Sequence, residues 1–207
     1  MVIAILDYGM GNLRSVQKAL ERVGAECYIT SEAPEAERAA GMILPGVGAF
    51  PRAMARVREL GLDSLVVARV EAGTPLLGIC LGLQLLFERS TELGGGAGIG
   101  LLGGDVSGVD APGLKVPHMG WEPVRWERDS ELVSDLASGT PFYFVHSFAV
   151  RPTEPDDVLG TARWGERFVC AVARPPIYGV QFHPEKSSSA GLRILANFAE
   201  ICASVPA

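Results

Sequence analysis

Cysteine, histidine and positive charge are all scarce in this chain. Its four cysteines stand at 27, 80, 170 and 202, without the CxxC pair of a zinc site or the short repeated spacing of a disulfide framework. Free thiols in a reducing compartment are expected, and neither a metal nor a cofactor. Eighteen Lys and Arg against 24 Asp and Glu leave a net charge of −6. That excludes the basic face a non-specific nucleic-acid binder needs. The longest charge-free stretch in the apolar centre, Ala72–Phe87, is too short to span a membrane and carries Gly and Pro. The start, Met1–Asp7, has no positive n-region and meets an acid at Asp7, so it does not read as a signal peptide. A soluble, cytoplasmic protein is expected. No internal repeat of a solenoid kind is present.

What is there suits a well-filled core. Hydrophobic residues make up 48% of 207, a length that fits one domain of the usual ~100–200 residues. A single domain over residues 1–207 is predicted. Its first half alternates buried-strand runs with helical patterns. Strands are expected at Val2–Leu6, Cys27–Ile29, Met42–Leu44 and Leu76–Ile79, and helices at 12–24, Pro51–Leu60 and Leu62–Glu71. A further helical pattern runs from the end of the last strand through Phe87. This order predicts an α/β fold with a central, mostly parallel sheet flanked by helices. The second half reads as strands at Leu114–Val116, Glu122–Trp126, Pro141–Val150, Val158–Trp164, Phe168–Ala173 and Ile177–Phe182, an added antiparallel β section. Gly94–Gly100 is expected to be a flexible loop, and Ser188–Ala203 a final amphipathic helix.

Gly78-Ile79-Cys80-Leu81-Gly82 is the most informative segment. An apolar strand stops, a nucleophile-type residue stands between two glycines, and a helix starts. That is the pattern of a nucleophile elbow, with Cys in place of Ser. The helix N-terminus favours a thiolate. A buried structural cysteine at an ordinary turn would look the same from Cys80 alone. A Cys nucleophile needs a base, and only His118, His146 and His183 are available. His183 and Glu185 end an apolar strand two residues apart, so an extended chain points both to one side. His183 would take the thiol proton and Glu185 would orient the imidazole. Pro45-Gly46-Val47-Gly48-Ala49-Phe50 follows another strand at the same carboxyl edge, where parallel sheets place their sites. The Leu81 amide and one near Val47 or Gly48 could form an oxyanion hole.

Gly78–Leu85 together with Gly179–Ser187 resembles the class I glutamine amidotransferases. Asp7–Leu13, Pro45–Phe50, Pro117–Trp121 and Tyr143–Ser147 narrow the resemblance to the glutaminase subunits of imidazole glycerol phosphate synthase, over residues 2 to about 200. The resemblance implies a glutaminase of histidine biosynthesis that passes ammonia to a (β/α)8-barrel cyclase partner within a heterodimer. It implies Cys80 as the nucleophile that forms a thioester, His183 as base and acid, and Glu185 as its orienter. The Val47 and Leu81 amides would be oxyanion donors, with the Val47 one needing reorganisation. Gly48, Gln84, Glu92, His146, Ser147 and Phe148 would line or hold the glutamine site. Asn12, Met119, Trp121 and Lys186 would face the partner. Glu122 stands where the family usually has Asn, and Phe148 where it often has Tyr. His118 reads as structural or interface-lining, Trp126 and Trp164 as sheet-packing residues, and Glu154–Asp157 as a solvated turn. Two competing readings are an amidotransferase serving another acceptor, such as anthranilate synthase, and a catalytically silent sensor using Cys80. The Pro117–Trp121 and Tyr143–Ser147 segments oppose the first, and the paired His183 and Glu185 oppose the second.

Overall fold

The computed structural model describes residues 1–205. The first half follows the expected alternation: β1 (Val2–Leu6), α1 (Leu13–Arg22), β2 (Glu26–Thr30), α2 (Ala33–Ala36), β3 (Gly41–Gly46), α3 (Phe50–Glu59), α4 (Leu62–Glu71), β4 (Leu76–Cys80) and α5 (Leu81–Leu85). Then come β5 (Phe87–Ser90), β6 (Gly96–Ala97), β7 (Leu102–Gly108), β8 (His118–Trp126), β9 (Thr140–His146), β10 (Phe148–Pro152), β11 (Val158–Trp164), β12 (Glu166–Arg174), β13 (Ile177–Val180) and α6 (Ser188–Ser204). The main path of the sheet runs β2-β1-β3-β4-β13-β12-β10-β7-β5-β6, with β11 joining β12 to β8 and β9 beyond it. β2, β1, β3, β4 and β13 are mutually parallel neighbours. Pairing beyond β13 is antiparallel, except that β5 lies parallel to β7.

The parallel half is buried on both faces, and its strand alternation sorts two cores. Ile3 and Ile5 of β1, with Ile43, Leu77 and Ile79, join the cluster under α1 and α6. Ala4 and Leu6, with Met42, Leu44 and Leu76, join the cluster under α3 and α4. This three-layer arrangement carries the carboxyl ends of β3, β4 and β13 to one edge, where the site lies.

Five expectations are corrected. The helix after β4 ends at Leu85, and Phe87–Ser90 is a strand, because this segment finds an edge partner in β7. Leu114–Val116 lies in a turn and bends, leaving Leu114 and Val116 exposed, and the strand starts later at His118. Pro141–Val150 is two strands, broken at Ser147, with β9 pairing β8 and β10 pairing β7 and β12. Part of Gly94–Gly100 is ordered as β6 against Arg89–Ser90. The Glu154–Asp157 turn is also less solvated than expected. Asp157 is buried, with Arg174 Nη1 3.7 Å from its carboxylate. Trp126 and Trp164 do pack on the sheet, edge-on to Phe142 and stacked on His118.

Candidate active site

Cys80 ends β4 and has φ 55° and ψ −110°, a left-handed backbone that a non-glycine residue adopts only at a cost. Such strain marks the elbow of a nucleophile presented at a strand end. The flanking glycines are needed for close approach. A Cβ on Gly82 would sit 1.7 Å from the Leu44 carbonyl oxygen, and one on Gly78 2.8 Å from the Leu83 backbone. Gly46 of β3 is the register partner of Cys80, so the Pro45–Phe50 segment leaves the sheet beside it. Gly48 has φ 105° and only glycine suits it there.

His183 lies three residues beyond β13, the strand next to β4. Its backbone N–H donates to the Tyr143 carbonyl at 2.9 Å, and its own carbonyl accepts from Ser187 Oγ at 2.7 Å. Ser187 Oγ also accepts the Tyr143 N–H at 2.9 Å. His183 is thereby fastened to β9 as well as to its own strand. Its Nδ1 lies 2.9 Å from Glu185 Oε1, and both side chains are almost wholly buried. The expected geometry differs in one respect: Pro184–Lys186 is a 3-10 turn rather than extended chain. The turn still brings the carboxylate to Nδ1, leaving Nε2 for Cys80. Burial opposes charge on His183, but hydrogen bonds and attraction from Cys80 and Glu185 outweigh it and raise its pKa to about 10. The imidazole therefore holds a proton readily beside the sulfur.

A cavity of about 250 Å³ opens over the sulfur, at the small end for ligand sites and sized for a small metabolite. Cys80, Leu81, Gln84, His183, Val47, Gly48, Glu92, His146, Ser147, Phe148 and Lys186 all line it, as do Pro117 and Val145. The structure thus brings eleven of the expected site residues to one cavity. Glu185 stands behind His183. Glu92 accepts the Phe50 N–H at 2.8 Å, which fixes it at the start of α3. Asn12 stands at the N-cap position of α1, where its side chain accepts from Ser15 Oγ at 2.8 Å and from no backbone N–H of that helix, and Met119 and Trp121 lie outside the cavity, 55% and 49% exposed. Both remain about half exposed on the outer side of β8, although Trp121 touches its cross-strand partner Tyr143 edge-on, and Val47 beside the cavity is 41% exposed.

Two residues without an expected role belong to the site. Gln181 is fully buried; its Nε2 lies 3.6 Å from Cys80 Sγ, and its Oε1 accepts from Gln84 Nε2 at 3.0 Å. Ser187 ties His183 to β9. Period-two spacing from His183 offered a signal for Gln181. Nothing local distinguishes Ser187 from its serine neighbours.

With this geometry in view, the comparisons with known proteins are specific. The model of the family "Glutamine amidotransferase class-I" matches residues 4–202. The chain belongs to that family, and by that membership is a glutamine amidotransferase. Within it, the chain is 52% identical over 96% of its length to the imidazole glycerol phosphate synthase subunit HisH of Moorella thermoacetica, covering 94% of that protein. It is 49% identical to the HisH subunit of Rhodopirellula baltica, over 96% of this chain and 97% of that one. A solved glutamine amidotransferase superposes with a TM-score of 0.77 at 24% identity, over 98% of this chain and all of that one. PurLQS from Thermotoga maritima gives 0.75 at 18%, over 97% and 98%. These structural likenesses bear on the fold.

Proposed function

We propose that the chain is the glutaminase subunit of an imidazole glycerol phosphate synthase, acting in the cytoplasm with a cyclase subunit as a heterodimer, and that residues 1–207 form a single amidotransferase domain. The observation that carries this reading is one cavity lined by the strained Cys80 at the end of β4, by His183 with Glu185 buried behind it, and by residues of β9 and of the segment that follows β3. The near-50% identity to named HisH subunits over almost the whole chain supports the acceptor. His183 takes the Cys80 thiol proton, and the thiolate attacks the side-chain amide carbon of glutamine. The carbonyl electrons move to oxygen, which the Leu81 amide and a reoriented Val47 amide stabilise. As the C–N bond breaks, the His183 imidazolium gives its proton to the nitrogen, releasing ammonia and leaving a thioester. His183 then takes a proton from water, whose oxygen attacks the thioester carbonyl. Glutamate leaves as the C–S bond breaks and the proton returns to sulfur. Glu185 holds the imidazole and stabilises its charge throughout.

Gln84, Glu92, Gly48 and the His146–Phe148 segment bind glutamine in this reading. Exposed Met119 and Trp121, with Asn12 and Lys186, face the cyclase, which covers the cavity and receives ammonia before solvent does. The deciding measurement is glutamate release from glutamine with and without the cyclase subunit and its nucleotide ligand. Strong stimulation that disappears in Cys80→Ala is expected. Hydrolysis that survives Cys80→Ala would refute the mechanism, and steady unstimulated hydrolysis would move the protein to another acceptor enzyme.

A further inference from the structure

His118 and His146 are register partners on β8 and β9; His146 lines the glutamine cavity, whereas His118 has no part in the reaction above. His118 Nδ1 lies 3.0 Å from His146 Nε2, and His146 Nδ1 lies 2.9 Å from the Phe148 carbonyl oxygen. A carbonyl only accepts, so His146 carries its proton on Nδ1. In a neutral ring Nε2 is then a bare acceptor, and His118 must donate to it from its own Nδ1. His118 Nε2 is left bare and buried, without a hydrogen-bond partner among the described residues, where the nearest carboxylate oxygen is Glu122 Oε1 at 4.0 Å. His118 is fully buried and stacks on Trp164 at 4.3 Å and Phe144 at 5.2 Å. Burial, the main cause for both rings, depresses each to about 4, in keeping with neutral imidazoles.

The chain of bonds does not stop at Phe148. The same carbonyl accepts from Gln84 Nε2 at 3.0 Å, Gln84 also donates to Gln181, and Gln181 reaches Cys80 Sγ. We propose that His118 is a positioning residue: with His146 it forms a neutral relay, both rings protonated at Nδ1, that holds the Phe148 carbonyl and Gln84 in the wall of the glutamine cavity. The relay also ties that wall to β8, the strand whose outer side presents Met119 and Trp121. Its kinetic consequence rests on the glutaminase reading; its protonation pattern does not.

Two measurements separate those cases. The chain has only three histidines, so long-range proton–nitrogen NMR correlations of the imidazoles in the full-length protein are assignable with His118→Phe and His183→Gln. Two neutral rings of the Nδ1–H form at about pH 7 are expected, at 118 and 146. An Nε2–H form or a charged ring at either position would overturn the relay. The second measurement is steady-state glutamine hydrolysis by the complex with its cyclase subunit. His118→Phe keeps a ring in the aromatic stack and loses the donor, whereas His118→Asn keeps a donor near the Nδ1 position and loses the ring. The expected result is a KM about tenfold higher for Phe, the size of one lost buried hydrogen bond, with kcat within about twofold, and a KM nearer wild type for Asn. Equal KM values for Phe and wild type, or a larger defect in Asn than in Phe, would reject a positioning role in favour of packing. If the wild-type complex hydrolyses no glutamine, the function reading fails while the NMR result still decides the relay.

Discussion

Two buried histidine regions meet at one cavity, and their pKa values are pushed in opposite directions. On one side His183 has a carboxylate 2.9 Å from Nδ1 and a thiol beside it, and its pKa rises to about 10. On the other, His118 and His146 bond to each other and to a carbonyl, and theirs fall to about 4. Both regions are buried to a similar degree, so burial alone does not decide. An anionic partner repays the desolvation of an imidazolium, and a neutral partner does not. The first region can move protons, and the second can only hold shape.

The most severe way to break the first region is to remove the sulfur. Cys80→Ala is expected to lower glutamate release by at least about 10³-fold, with the fold retained by circular dichroism. Glu185→Gln makes His183 more like His146 by replacing its anionic partner with a neutral one. Turnover is expected to fall about 10²-fold, and the His183 pKa, followed by NMR, to drop back toward its ordinary value. An unchanged pKa would show that Cys80 alone sustains the charge.

The same contrast divides the pH dependence of folding. His183 has a native pKa above the ~6.5 of an unfolded chain, so its contribution is complete below that pH and fades as pH rises towards about 10. His118 and His146 have native values below ~6.5, so theirs is complete above that pH and fades as pH falls towards about 4. Urea unfolding across this range is expected to show stability falling at both ends. Glu185→Gln should flatten the alkaline side, and His118→Phe the acid side. A variant that flattened the opposite side would reverse the assignment of charge. The mildest test concerns the outer side of β8. Trp121 is half exposed and touches Tyr143 edge-on at 5.8 Å. Trp121→Ala should change folding stability by less than about 1 kcal/mol, yet weaken cyclase binding about tenfold or more by titration.

Much of the first half was legible because a strand buried on both faces is a continuous apolar run. β1 and α4 fall at Val2–Leu6 and Leu62–Glu71, as their patterns indicate. The cysteine elbow was legible because glycines on both sides of a strand-end nucleophile have few other uses. The segment after Cys80 misled because Leu81–Phe87 is apolar throughout, and periodicity cannot separate a buried helix from a buried strand there. β7 escaped notice because Leu102–Gly108 holds three glycines and an aspartate, residues that strands usually avoid. His118 and His146 are 28 positions apart, and nothing local announces their pairing.

The sequence by itself determined the residue types of the nucleophile, base and orienter, the glycines that let the chain turn tightly, and the alternation that buries a parallel sheet between helices. These are local properties, set by steric freedom and by the period of hydrophobic residues. Only the tertiary structure decided which way each histidine's pKa is pushed, that Gln181 bridges Gln84 to the sulfur, and that β8 leaves Met119 and Trp121 outside while burying His118. Those outcomes depend on partners brought together across the sheet, and the free energy of a buried polar group is set by its partners in space rather than its neighbours along the chain.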